Sequence, residues 1–113
     1  MAKKLVIRHN MTFIAVACGE EILTANFEQT QTFWTFYLDG KKLKKEQFLS
    51  LQAKSTADLI EQFTGSMFDV IIAKNFGPRA IHQLKEKGKR LYTFDGGRRA
   101  ALNAYLDGEL QEI

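Results

Sequence analysis

The stretch that decides the fold is FDVIIAKNFGPRAIHQLKEKGKRLYTF, residues 68–94. Its apolar start at residues 68–73 predicts a buried strand, and Gly77-Pro78 suits the first turn of a helix. A second strand is predicted at residues 90–94. Two strands joined by a helix run parallel through a right-handed crossover, so this stretch predicts an α/β fold.

The segments before this stretch predict three more strands and a helix. The run FIAVA at residues 13–17 is typical of a central strand that is buried on both faces. The aromatic run at residues 32–38 ends at Asp39-Gly40, a hairpin-turn dipeptide, so its partner strand is expected from Lys42 onward.

Two further helices are predicted, one before and one after residues 68–94. Ser55 with Asp58 three positions later forms a capping pattern for a helix that ends at Gly65. A last helix is expected after Gly96-Gly97.

The composition predicts a single domain and a cytoplasmic protein. With 113 residues, 45% of them hydrophobic, we expect a single domain at residues 11–113, while residues 1–10 are either an extension or an added edge strand. The net charge of +3 is too small to indicate nucleic-acid binding. Cys18 cannot form an internal disulfide, and the short apolar start predicts no membrane span, so a cytoplasmic protein is expected.

Three loops are predicted to meet at one edge of the sheet, at residues 18–27, 74–79 and 95–99. Open α/β sheets bind ligands at the carboxyl ends of their parallel strands, and two of these loops lead into helix N-termini, which attract anions. The alternative, equally weighted on these residues alone, is two ordinary turns with solvated basic side chains. The candidate anion-binding residues are Lys74, Gly77, Arg79, Gly96, Gly97 and Arg98.

Cys18 is the candidate metal ligand, because it follows the first strand at the same edge. A helix terminus or a nearby basic residue would lower its pKa and provide a thiolate. The alternative, favoured two to one, is a half-buried small hydrophobe at a strand end. One cysteine cannot hold a four-ligand cluster within a monomer, so ligation would need a homodimer or ligands from the cluster itself.

Several segments resemble the dinitrogenase iron-molybdenum cofactor biosynthesis family, which includes small carriers of iron-sulfur and iron-molybdenum cluster precursors. The resemblance covers residues 11–110. The segments that carry it are IAVA at residues 14–17, Asn26-Phe27 followed by Phe33, FGPRA at residues 76–80 and ALNAYLDGEL at residues 101–110.

The resemblance implies a ribonuclease H-like three-layer fold, with a five-stranded mixed sheet flanked by helices. It also implies binding of an iron-sulfur or iron-molybdenum cluster and a protein partner in cluster transfer. Family members typically carry His-Phe-Gly where this chain has Asn26-Phe27-Glu28. Asn26 therefore occupies the position of the family's candidate cluster ligand.

We expect no enzymatic activity. Asp39, Asp69 and Asp95 lie near strand ends but are not expected to converge, which disfavours a two-metal nuclease. The preferred hypothesis is a carrier or sensor of an anionic metallocofactor or another small anion. The alternative is a protein-interaction module that has lost cluster binding and uses the basic arm at residues 41–45 or an exposed sheet edge.

Overall fold

In the computed structural model of the protein, residues 11–19 and 23–113 are described. Within them the chain forms five strands and three α-helices in the order expected from the sequence. They are β1 (Met11–Ala17), β2 (Thr32–Asp39), β3 (Lys42–Ser50), α1 (Thr56–Thr64), β4 (Val70–Ala73), α2 (Pro78–Glu86), β5 (Arg90–Thr93) and α3 (Arg98–Leu106). The expectation for residues 1–10 lies outside the described residues.

The strands form one mixed sheet in the order β3-β2-β1-β4-β5. β2 is antiparallel to both β1 and β3, whereas β1, β4 and β5 run parallel. β1 lies in the middle of the sheet, which confirms the interpretation of its apolar run. The carboxyl ends of three neighbouring strands therefore lie at the same edge.

Helices cover both faces of the sheet because alternate residues of each strand point to opposite sides. Ala15 and Ala17 of β1 face the core formed with α1 and α2, while Ile14 and Val16 face the core formed with α3. These four side chains are completely buried. The sheet is thus the middle of three layers, and the predicted five-stranded mixed sheet flanked by helices is confirmed.

Local signals in the sequence set the hairpin and the start of α1. Asp39 pairs with Lys42, and Gly40 adopts a φ of 63°, a conformation that favours glycine. The loop is therefore Gly40-Lys41, one residue later than the dipeptide predicted from the sequence. At α1, Asp58 donates its N–H to Ser55 Oγ over 3.1 Å, which confirms the predicted cap.

The two edge strands of the sheet differ in which segments lie against their outer sides. The outer side of β5 meets the end of the chain, because Glu112 forms a bridge with Tyr92 and Ile113 donates its N–H to the Leu91 carbonyl over 2.9 Å. β3 forms the opposite edge. Among the described residues, no helix has the length and apolar character that a membrane crossing requires.

Candidate anion-binding site

The three loops predicted to meet are joined by backbone hydrogen bonds. Lys74 donates its N–H to the Ala25 carbonyl and Phe27 donates to the Asn75 carbonyl, both over 2.9 Å. Thr24 donates to the Gly96 carbonyl over 2.7 Å. The convergence expected from parallel strands is confirmed, and residues 18–19, 23–27, 74–79 and 95–99 are called the loop edge below.

The start of α2 is occupied by a carboxylate from the chain itself. Glu28 Oε2 accepts a 2.5 Å hydrogen bond from the Gly77 N–H, which is the cap of α2. A Cβ atom at Gly77 would lie only 2.3 Å from that oxygen, so glycine leaves the space that the carboxylate fills. The expectation that the Gly77 amide faces an external anion is wrong, since Glu28 already supplies the negative charge.

Aromatic packing positions Glu28. The preceding residue, Phe27, is completely buried and contacts the rings of Phe33, Phe63 and Phe76 at centroid distances of 5.9, 5.4 and 5.5 Å. Because Phe27 anchors the short 3-10 turn Phe27–Gln29, the next side chain is directed toward the start of α2. The cap of α2 therefore depends on a residue 49 positions away.

Asn26, the candidate that replaces the family's histidine, makes hydrogen bonds through both ends of its amide. Its Nδ2 donates to Gln29 Oε1 over 3.0 Å, and its Oδ1 accepts from Asn75 Nδ2 over 3.1 Å. The side chain therefore links the 3-10 turn to the loop before α2. These two bonds fix the orientation of the amide and leave one donor and one acceptor site free for further contacts.

The start of α3 has the opposite charge. Its cap is Gly97, no acid lies in its first turn, and no side chain of the described residues caps it. The neighbouring Gly96 uses its N–H to donate to Thr24 Oγ1 over 3.1 Å. Arg98 and Arg99 instead place two positive charges where the helix dipole is already positive.

Both arginines are held by residues of β2 and β3. The Arg98 guanidinium lies 3.8 Å from the centroid of the Trp34 ring, a cation–π contact. Arg99 pairs with Glu46 over 2.6 Å, and Glu46 also accepts from Trp34 Nε1 over 2.8 Å. The Trp34 bond and, after it, the Arg99 guanidinium lower the pKa of the Glu46 carboxyl. The hydrogen-bonded Trp34 side chain thus gives Arg98 a defined position.

Cys18 lies beneath this region as a buried thiol. Its Sγ donates to the Val16 carbonyl over 3.2 Å, and only 5% of the residue is exposed. Burial raises the pKa of the Cys18 thiol and outweighs the lowering effects of a backbone bond from Trp34 and the charge of Arg98. Removing the thiolate from water costs more than these neighbours return, which agrees with the alternative favoured from the sequence, a small hydrophobe at a strand end.

The remaining candidates, Lys74 and Arg79, both have exposed side chains, and Arg79 lies in the first turn of α2. Lys74 borders an open groove that also contains Asp95 and Glu109, so acidic groups share its surroundings. The structure thus places Cys18, Gly97 and Arg98 near the start of α3. The α2 side carries Asn26, Gly77 and Arg79. Lys74 borders the groove beside Asp95 and Glu109, and Gly96 links the α3 loop to Thr24.

The described residues do not fit a metal cluster held by protein side chains. They contain no group of three or more His, Cys, Asp or Glu side chains arranged to hold a metal ion. Cys18, the predicted metal ligand, is buried, and burial raises the pKa of its thiol. A sulfur-rich cluster is normally held by several thiolates or imidazoles, and this edge does not bring such a set together.

Sequence reasoning missed the two residues that distinguish the helix starts. In the sequence, Glu28 stands out as a negative charge in the altered family motif, and Trp34 as a member of an aromatic strand, but neither is predicted to contact a helix start. No local signal relates Glu28 to Gly77, because the contact forms only when the loops after β1 and β4 meet. The alternation of β2 does place Trp34 on the α3 face once the sheet topology is known.

Comparisons with known proteins show the fold. No family profile and no curated protein matches the chain by sequence. A "putative dinitrogenase" from Methanocaldococcus jannaschii superposes with a TM-score of 0.73 at 19% identity, covering 92% of this chain and 95% of that one. The apo form of the orange protein from Desulfovibrio gigas gives 0.72 at 19%, covering 94% and 96%.

The chain has the fold of these proteins. At this identity the likeness extends to the architecture alone, and it agrees with the fold that the resemblance to the dinitrogenase iron-molybdenum cofactor biosynthesis family implied. Both neighbours are matched over nearly their whole length, so the shared fold includes the loop edge.

Proposed function

We propose that this protein is a cytoplasmic, non-enzymatic carrier or sensor that binds a small anion at the start of α3. The observation that carries the proposal is the fixed position of Arg98, which stacks on Trp34 beside a helix N-terminus without an acidic first turn. We further propose that the fold is of the ribonuclease H-like type. The three-layer arrangement and the mixed sheet order support this assignment.

Two contributions favour an anion at this position. The first N–H groups of α3 have no partner within the helix and carry a partial positive charge. Arg98 adds a full charge and several donors, and its stacking on Trp34 reduces the side-chain freedom that binding would otherwise remove. The start of α2 does not take part, because the Glu28 carboxylate would repel a second anion there.

The resemblance and the fold neighbours favour a metallocofactor as the anion, but the side chains restrict how it would be held. An iron-sulfur or iron-molybdenum cluster would have to arrive as a preformed anion with its own ligands. The chain's own contribution would be the amides of α3 and the Arg98 charge, with Cys18 kept as a thiol. An oxyanion such as phosphate, sulfate or molybdate satisfies the same requirement.

An anion titration tests the proposal. Trp34 is the only tryptophan in the chain, so its fluorescence reports on the Arg98 stack. We expect phosphate, sulfate or molybdate to change this fluorescence and to raise the melting temperature of the wild type. Arg98→Glu should abolish both effects, and because an acid in the first turn suits the helix dipole, the variant should still fold.

Arg79→Glu is the matched control, since it reverses an exposed charge in the first turn of α2. It should bind the anion nearly as the wild type does, because Glu28 already closes that turn. Equal binding by the wild type and Arg98→Glu would contradict the proposed site. Loss of binding in Arg79→Glu alone would move the site to α2.

The metallocofactor version has its own test. The protein is incubated anaerobically with iron and sulfide, or with an iron-molybdenum cluster precursor, then desalted and examined for bound metal and visible absorption. Retained metal that Arg98→Glu loses but Cys18→Ala keeps would support a preformed anionic cluster. Loss in Cys18→Ala would instead assign Cys18 as a ligand, and a colourless protein would exclude these clusters.

The second candidate function is a protein-interaction module that no longer binds a ligand. It is favoured by the Glu28 carboxylate, which fills one predicted half of the site, and by the buried Cys18 thiol. The basic arm at residues 41–45 would then provide the contact surface. This alternative predicts that no anion shifts the melting temperature of the wild type, and that charge reversal in the arm weakens partner binding.

A further inference from the structure

Among the described residues, the edge of the sheet formed by β3, a strand of nine residues, has no strand beside it. The opposite edge strand, β5, is met by the chain's own Glu112 and Ile113. Within residues 11–19 and 23–113, no bridge or strand pairs with the outer side of β3. A long strand with free backbone groups is a template for pairing with another strand.

The backbone groups that face outward follow from the β2–β3 register. Leu51 donates its N–H to the Gln31 carbonyl over 2.7 Å, and this pair continues the strand register by one step. Hydrogen-bonded pairs alternate along an antiparallel ladder. Glu46, Phe48 and Ser50 therefore lie in the other class of pairs and direct their N–H and C=O groups away from β2.

Charge divides this edge into two halves. Lys42, Lys44 and Lys45 lie in the half next to the hairpin, where such charges oppose pairing with another strand. The other half, residues 46–50, carries a single charge, and Glu46 is already engaged by Trp34 and Arg99. This half of β3 has no lysine, so no positive charge opposes pairing with another strand there.

Phe48 lies at the centre of residues 46–50 and is 53% exposed. It is on the α3 side of the sheet, where its ring lies 6.1 Å from that of Trp34. Phe48 thus ends a continuous row of Arg98, Trp34 and Phe48 across that face. An aromatic ring at a bare strand edge suits burial against an aromatic from a second strand.

We propose that β3 is a homodimer interface, in which β3 of two copies pair antiparallel about a two-fold axis at Phe48. In this register Phe48 lies opposite Phe48, Glu46 opposite Ser50, and Lys44 opposite Gln52, so the lysines of β3 do not oppose one another. A register centred on Glu46 would place two carboxylates opposite each other, and one centred on Lys44 would oppose two lysines. Like charges thus disfavour both of these registers, and the exposed Phe48 ring favours an axis at its own position.

The proposed dimer does not depend on anion binding. Sedimentation of the protein over a concentration series tests whether the dimer forms. We expect a reversible monomer–dimer equilibrium for the whole chain. Phe48→Lys should raise the dissociation constant at least about tenfold, because like charges would then meet at the axis. Met67→Lys is the matched control, since Met67 is equally exposed but lies outside the strand, and it should leave the equilibrium unchanged.

Hydrogen exchange gives a readout for the backbone itself. The amides of Glu46, Phe48 and Ser50 should become protected as the protein concentration rises, whereas those of Gln47 and Leu49 should be protected at every concentration. A monomer up to about 1 mM with unprotected outward amides would overturn the proposal. Outward amides protected in a monomer at all concentrations would also overturn it, because another part of the same chain would then cover the edge.

Cross-linking tests the register in a Cys18→Ala background. In the proposed dimer the two Cα atoms at position 48 are about 5.5 Å apart, which is within disulfide range. Phe48→Cys should therefore form a disulfide dimer under mild oxidation. Lys44→Cys is the control on the same edge, with its Cα atoms roughly 26 Å apart, and preferential cross-linking there would contradict the Phe48 register.

Discussion

The starts of α2 and α3 look alike in sequence and differ in what approaches them. Each helix follows a parallel strand and begins after a glycine with a φ of −74°. Glu28 closes the first start, whereas Arg98 stacked on Trp34 flanks the second. The two turns therefore differ in charge. A carboxylate from a distant segment lies at the first, and an arginine held by the distant Trp34 lies at the second.

The largest expected contrast comes from adding a methyl group to each cap. Gly77→Ala should cost about 2 kcal/mol of unfolding free energy, because its Cβ displaces the Glu28 carboxylate and breaks a charge-assisted hydrogen bond. Gly97→Ala should cost only about 0.5 kcal/mol, the ordinary penalty of alanine at a cap, since a Cβ there meets no atom within 4 Å. Urea unfolding measures both, and equal costs would refute the assigned role of Glu28.

A double-mutant cycle should sharpen this contrast. Glu28→Ala alone should cost about 1–2 kcal/mol, since it leaves the start of α2 without its acceptor. In the Glu28→Ala background, Gly77→Ala should then cost about as little as Gly97→Ala does, giving a coupling of about 1.5 kcal/mol. Additive costs would mean that the two residues act independently.

Arginine truncation probes the other helix start. Arg98→Ala should cost about 0.5–1 kcal/mol through loss of the cation–π contact and should change the emission of Trp34. Arg79→Ala, at an exposed position in the first turn of α2, should change the unfolding free energy by less than about 0.5 kcal/mol and leave the emission alone. Identical spectra for Arg98→Ala and the wild type would show that the stack does not persist in solution.

The smallest effect concerns the thiol near α3. Because folding raises the pKa of Cys18, its contribution to stability is present below the ordinary value of 9.0 and is lost as the pH rises through it. Relative to Cys18→Ala, the wild type should lose at most about 0.4 kcal/mol at that pH, the limit reached when the folded thiol stays protonated while half of the unfolded thiols are ionised. Unfolding curves at neutral and alkaline pH measure this loss, and a gain on going alkaline would mean that the thiol pKa is lowered instead.

The sequence predicted the elements well because their signals are local. The apolar run of β1, the Ser55 cap and the turn at Gly40 each act within a few residues. It also predicted that the three loops meet, since parallel strands end at one edge. It did not predict that Glu28 fills half of that edge, because this contact depends on packing between segments far apart in the chain.

The sequence by itself determined the order of elements, the parallel crossover and the positions of the two glycine caps. Periodicity, capping and chain reach are properties of short segments, so they can be read without coordinates. Only the tertiary structure decided which cap meets a carboxylate and which a stacked arginine. The Coulomb energy of a charge depends on distance and burial, and packing of the aromatic residues around Phe27 and Trp34 fixes both.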